Sequence, residues 1–221
     1  MNKDKMLFKK QMKEDKLATT ARKVFNFFQD PEGVKKFFNI LIWVVIAVVA
    51  VTGYFTYRGN IDKQVEKDMK PAIRQYYDGE YDIAIKNLKK IYQNYPHSAY
   101  AGEVLYYMGE SSYKLKNYDE AIKNFNEATG KSLREMIRPA VFIALAYTYE
   151  EKGDFIKAAD TYETLSRKIP KYFAMDDVFI GRARCLKAAG KSDEAKKVYQ
   201  DIITKYPESR HFQTAKGNLE N

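Results

Sequence analysis

The chain has 221 residues, 45% of them apolar, a formal net charge of +9 and one cysteine. That length accommodates one array of ordinary size plus an appendage, and the apolar share is that of a globular chain. A single cysteine excludes an intramolecular disulfide framework.

The distribution of charge says more than its sum. Residues 1–36 carry ten Lys/Arg against five Asp/Glu, whereas residues 58–221 carry 28 against 24. The excess is concentrated in a short tail, and the longer part has a mixed-charge surface with no basic stripe. This argues against nucleic acid as a partner. Within residues 1–30, Leu17, Ala21, Val24, Phe25 and Phe28 share one helical face, with Lys16, Arg22 and Lys23 elsewhere on the wheel. Such a helix suits the anionic face of a bilayer. The other reading is a basic tail that serves topology alone. Asp30-Pro31-Glu32-Gly33 then breaks the helix and restarts it.

Phe37 to Tyr57 contains no charged residue, and twelve of its 21 residues are Phe, Leu, Ile or Val. At roughly −0.3 to −0.6 kcal/mol each near the bilayer centre, they favour insertion by several kcal/mol. Lys35 and Lys36 fence one end; Tyr54, Tyr57 and Arg58 mark the other as an interfacial belt. A transmembrane helix over 37–57 is therefore expected, retained rather than cleaved, because no Ala-x-Ala follows and the preceding basic stretch is long. Charges close to the span are nearly balanced, but the tail as a whole is basic. The expected orientation is tail in the cytoplasm and the larger part outside.

Beyond Gly59-Asn60 the chain repeats itself every 37 residues. Ala84, Ala121, Ala158 and Ala195 share one register; Leu88, Phe125, Tyr162 and Tyr199 another; Ile91, Ala128, Leu165 and Ile202 a third. Gly79, Lys116, Gly153 and Gly190 occupy the turn, and Pro96, Pro170 and Pro207 close three of the four copies, with Leu133 in that place in the second. The clearest copy, Leu105 to Ala128, reads as two amphipathic helices around Lys116-Asn117, with acids in the first turn of the second helix. One such hairpin cannot bury its own apolar face, so the copies must stack.

This pattern resembles the tetratricopeptide repeat, whose unit pairs an aromatic-Leu-Gly-Tyr first helix with an Ala-aromatic-Ala second helix and a closing Pro. The resemblance spans residues 61–221. It implies an all-α, TPR-like right-handed α-solenoid of four helix hairpins plus a capping helix, preceded by one transmembrane helix. The copies fall at about 61–97, 98–134, 135–171 and 172–208, with the cap at 209–221. Pro71 is expected to kink the first helix. Ser132-Leu133-Arg134-Glu135 has capping-box spacing and is expected to open the third copy, with Pro139 kinking that helix or marking its true start. Arg182 departs from the repeat at a Leu position.

No catalytic constellation, phosphate loop or zinc spacing is present in the sequence, so neither an enzyme nor a cofactor or metal site is expected. Cys185 aligns with Ser111 and Thr148 and is expected to be a packing thiol. His97 and His211 are expected to be exposed. Asp176-Asp177 and Glu150-Glu151 are adjacent helical residues that point apart, and they are expected to be solvated faces and caps.

What the resemblance implies instead is a concave face lined by first-helix residues that binds proteins or peptide segments. Carried over position by position, that face comprises Met69, Ile73, Tyr76 and Tyr77, then Tyr106, Glu110 and Tyr113. It continues with Ile143, Tyr147 and Glu150, and ends with Ile180, Arg184 and Lys187. Tyr106 and Glu110 stand where the family's carboxylate clamp has Lys and Asn, so a chaperone C-terminus is disfavoured. The layout of basic tail, single span and external array resembles the bacterial ancillary subunit of the Sec translocon. That likeness implies a periplasmic array on the inner membrane which contacts emerging chains and chaperones. An envelope-assembly scaffold similar to outer-membrane assembly or Tol-Pal-associated repeat proteins, and a cytosol-facing import receptor, are the alternatives.

Overall fold

A computed structural model describes residues 18–220, which form helices and turns without a strand among the described residues. Leu17 and Lys16, and with them the start of the amphipathic tail, lie outside the described residues. Helix α1 covers residues 18–29, and its Val24, Phe25 and Phe28 are exposed. Asp30 ends it and caps the next helix, accepting the Glu32 N–H at 3.1 Å. Pro31 follows as the first helical residue, where its missing N–H costs nothing.

Helix α2, Pro31–Tyr77, is 47 residues long. The chain divides into two compact units, residues 1–57 and 58–221, and α2 contributes to both. In the first unit the apolar side chains of α2 face outward, Trp43 at 71% exposure among them. By length and composition this helix can cross a membrane. The Thr52 and Thr56 hydroxyls return to the backbone carbonyls of Val48 and Thr52 at 2.9 and 2.8 Å, the internal satisfaction an apolar surrounding demands. The helix continues through Gly59-Asn60, where the first repeat begins. One interior glycine costs only about 1 kcal/mol. In the second unit α2 runs through Pro71 to Tyr77, with Val65, Met69 and Ala72 buried on both sides of the proline. That packing offsets the lost hydrogen bond.

The second unit continues with α3 (Tyr81–Asn94), α4 (Ala101–Lys114), α5 (Tyr118–Thr129), α6 (Ile137–Glu151) and α7 (Phe155–Lys168). It closes with α8 (Met175–Ala188), α9 (Ser192–Lys205) and α10 (Phe212–Glu220). From α3 onward each helix packs on the next, and α4 also touches α6. Every residue of the three second-helix registers is at most 7% exposed. A fourth register, Ala72, Gly109, Ala146 and Ala183, is buried on the first helices. The core is consequently a row of small side chains facing a row of large ones.

The four turns are built alike. Gly79, Gly153 and Gly190 have φ of +82°, +77° and +77°, and Lys116 has φ of +61° at the same repeat position. At each, the following N–H reaches back five residues, as Asn117 to the Ser112 carbonyl at 2.9 Å and Asp154 to the Tyr149 carbonyl at 2.8 Å. This is the Schellman closure, which favours glycine at the left-handed position. A side chain there costs roughly 1–2 kcal/mol, part of which glycine loses again as unfolded-chain entropy. Lys116→Gly should therefore stabilise the array by about 0.5–1 kcal/mol, seen as a raised midpoint in urea. Gly153→Ala should lower that midpoint.

Several connections differ from the sequence expectation. The capping box at Ser132 does not form: α6 begins only at Ile137, and Arg134 instead pairs with Glu103 in the first turn of α4. Glu103 is 6% exposed, so its carboxylate needs a cation and takes the Arg134 guanidinium. The Arg134 carbonyl accepts the Ile137 and Arg138 N–H groups at 2.9 and 3.1 Å and so opens α6. Pro139 is the third residue of α6, close to its start. Arg182 packs because Glu163 of α7 pairs with it at 2.9 Å. The Asp176 and Asp177 pair is part-buried and tied down: Asp176 accepts the Ser209 hydroxyl at 2.7 Å and Asp177 binds Arg210 and His211 at 2.6 Å. His211 is accordingly half-buried, while His97 is exposed as expected. These contacts fasten α10 to the first turn of α8, as Asp62 in α2 fastens Ser98 and the Ala99 N–H, both at 2.8 Å.

Candidate protein-binding groove

Two grooves open between successive first helices. The one between α4 and α6 has a volume of about 320 Å³ and is lined by Tyr106, Glu110, Tyr113, Ile143 and Tyr147 from those helices. Its rim is completed by the segments that precede α6 and α8, through Met136, Tyr172 and Phe173. The second, of about 300 Å³, lies between α6 and α8 and adds Ile180 and Arg184. Ile143 and Tyr147 belong to both. Seven of the thirteen residues derived from the repeat register thus meet in two adjoining grooves.

The other six are placed differently. Met69 is 3% exposed in the first core cluster, with Ile73 and Tyr76 packed against that cluster. Tyr77 is 71% exposed and stacks edge-on against Tyr76, with ring centroids 5.1 Å apart. Glu150 accepts the Tyr162 hydroxyl at 2.9 Å and the Arg184 guanidinium through both oxygens, at 2.7–3.1 Å. It is an internal tie and not a solvated acid. Lys187 donates to Asn218 of α10 at 2.8 Å.

Exposure separates the groove aromatics into two kinds. Tyr106 packs on Phe125 and Tyr107, with ring centroids 6.1 and 5.2 Å away. Burial, then Glu110, pushes its phenol well above the ordinary range. Tyr147 is half exposed, and Met136 and Phe173 stand 89% and 90% exposed. These last two were not singled out from the sequence. The signal existed, because they lie 37 residues apart and share a repeat position, but that position falls in a connection, where apolar residues carry no periodic mark. Glu110 stands apart as the charged residue of its groove. Its Oε2 accepts the Tyr76 hydroxyl at 3.1 Å, and burial pushes its carboxyl up against that bond and the more distant Lys114.

Cys185 is 1% exposed, and burial, reinforced by Glu150, pushes its thiol up to about 12. A thiol so protonated packs and does not attack. Asp176, Asp177 and His211 bring ligand atoms within 4.8 Å of one another. Arg210 already occupies Asp177, which makes the cluster a joint between helices.

Stacked helical hairpins with an open aromatic groove define an α-solenoid of the kind that generally binds other proteins without catalysis. Residues 35–219 match the model of the tetratricopeptide repeat-like domain family, and the chain belongs to that family. Among solved structures, the fold is similar to the TPR-like repeats of a putative kinesin light chain from Podosopora anserina. That match has a TM-score of 0.56 at 15% identity, over 72% of this chain and 84% of that one. MamA matches at 0.54 and 20% identity, over 65% and 79% of the two chains. A tetratricopeptide repeat protein from Parabacteroides merdae matches at 0.59 and 17% identity, over 72% of this chain and 59% of that one. At these identities the likeness is one of fold. No curated protein matches the sequence.

Proposed function

We propose that this protein is a non-catalytic, membrane-tethered scaffold that holds segments of other proteins in the groove between α4 and α6. Residues 37–57 are its anchor in the bacterial cytoplasmic membrane, and the array works on the extracytoplasmic side. The observation that carries the reading is the pair Met136 and Phe173, large apolar side chains about nine-tenths exposed at the rim of an aromatic groove. Apolar side chains so presented mark interaction surfaces. The outward-facing apolar residues of α2 support the anchor. The layout supports a place beside the Sec translocon, where emerging chains and chaperones offer such segments.

A photoreactive residue at position 173 in intact cells tests the groove. Crosslinks to proteins that do not crosslink from position 160, on α7, are expected. Equal crosslinking from both positions would remove the groove from the proposal. The anchor is tested by washing membranes with carbonate, which should leave the whole protein in the pellet. Release into the supernatant would show that 37–57 is not embedded.

A further inference from the structure

The α4–α6 groove contains a carboxylate, Glu110, that Lys114, one turn further along α4, influences only from a distance. Among the described residues Glu110 makes no ion pair, and none of the residues lining this groove is basic. The next groove solves the same problem internally. Beside it Glu150 on α6 receives Arg184, a lining residue from α8 34 residues later, through three hydrogen bonds. Counting 34 residues from Glu110 reaches Ala144 on α6, which lines the groove and offers only a methyl group. Glu110 thus lines the groove beside Tyr106, Tyr113 and Tyr147, with one oxygen held by the Tyr76 hydroxyl of α2 and no cation supplied from α6. Aromatic rings around a carboxylate attract a cation by ring quadrupole and by charge together.

We propose that this groove takes a lysine or arginine side chain of a partner segment, with Glu110 as its counter-ion and the rim residues Met136 and Phe173 holding the apolar residues beside it. The occupant is thus a basic, apolar stretch of protein chain. This rests on the reading of the groove as the binding site. It also explains a residue that works against the fold. Burial raises the carboxyl of Glu110, so its ionised form is less favourable in the folded chain than in the unfolded one. The stability lost to it grows as pH rises from the ordinary carboxylate range, and an incoming cation offsets that loss.

The full chain in phosphatidylcholine nanodiscs, with empty nanodiscs as blank, should be titrated with a fluorescein-labelled peptide carrying one lysine between leucine and phenylalanine. Matched peptides carry norleucine or glutamate in its place. The lysine peptide should bind about tenfold or more tightly than the norleucine peptide, and the glutamate peptide more weakly still. Glu110→Gln should erase the difference between lysine and norleucine without lowering the melting temperature. Ala144→Arg should supply the counter-ion from within and expel the lysine peptide, while the norleucine peptide loses less. Equal binding of lysine and norleucine peptides to the unaltered chain would overturn the cation subsite and leave the groove reading standing. If no peptide binds, or if Phe173→Ala and Glu110→Gln both leave binding unchanged, the groove itself is the wrong site.

Discussion

Phe125→Ala should cost about 3–5 kcal/mol, a large share of the stability of a domain of this size. Phe125 is fully buried in the second helix of the second hairpin. A Cβ on Gly109 would meet its ring at 2.5–2.9 Å. The two residues are one solution to a spacing that the other copies solve differently, with Ala72 and Leu88, Ala146 and Tyr162, or Ala183 and Tyr199. Gly109→Ala alone gains helix propensity of about 1 kcal/mol but must displace a ring with nowhere to go, and overpacking of this kind costs about 1–3 kcal/mol. Combined with Phe125→Leu, the pair becomes the Ala–Leu combination of the first copy, and the damage from Gly109→Ala should largely vanish. Urea unfolding of the four proteins gives the coupling energy. Additive losses would mean that the helices of this hairpin do not close through Gly109 and Phe125.

The repeat was legible because its marks are periodic. A 37-residue interval that carries alanines, large apolar residues and turn glycines together leaves little freedom in how the helices pair, and all twelve second-helix positions read from it are buried. Lys116 in the turn position was legible too, although its left-handed backbone needed coordinates. What escaped is what lies between periods. The connection 130–136 looks like a capping box, but Glu103, 31 residues away, claims Arg134. Asp176, Asp177 and Glu150 look like surface acids, and each is tied to a residue 33 or 34 positions further on. A contact one repeat away has no local signature. The groove was half legible for the same reason. Register placed Tyr106, Glu110 and Tyr147 on one line, but it could not separate Tyr106, which packs on Phe125, from Tyr147, which is half exposed.

That separation sets the second large effect. Tyr147→Ala combined with Phe173→Ala should weaken capture of a partner segment about thirtyfold or more, since an anchoring aromatic can contribute about 2 kcal/mol. The melting temperature should scarcely move, because Phe173 is 90% exposed and Tyr147 is 48% exposed. Tyr106→Ala is the counterpart. Its ring lies on Phe125 and Tyr107, so truncation removes core contacts and should lower the melting temperature first. Measured on the same peptide and the same crosslinked partner, the two variants move opposite quantities: affinity at constant fold for the rim, fold at the expense of affinity for the floor. If Tyr147 and Phe173 were dispensable for capture while Tyr106 variants that remain folded lost it, the segment would enter between the helices and not lie across the rim. The groove would then act as a slot for one side chain, with Glu110 at its base and the flanking apolar residues of the partner left in solvent.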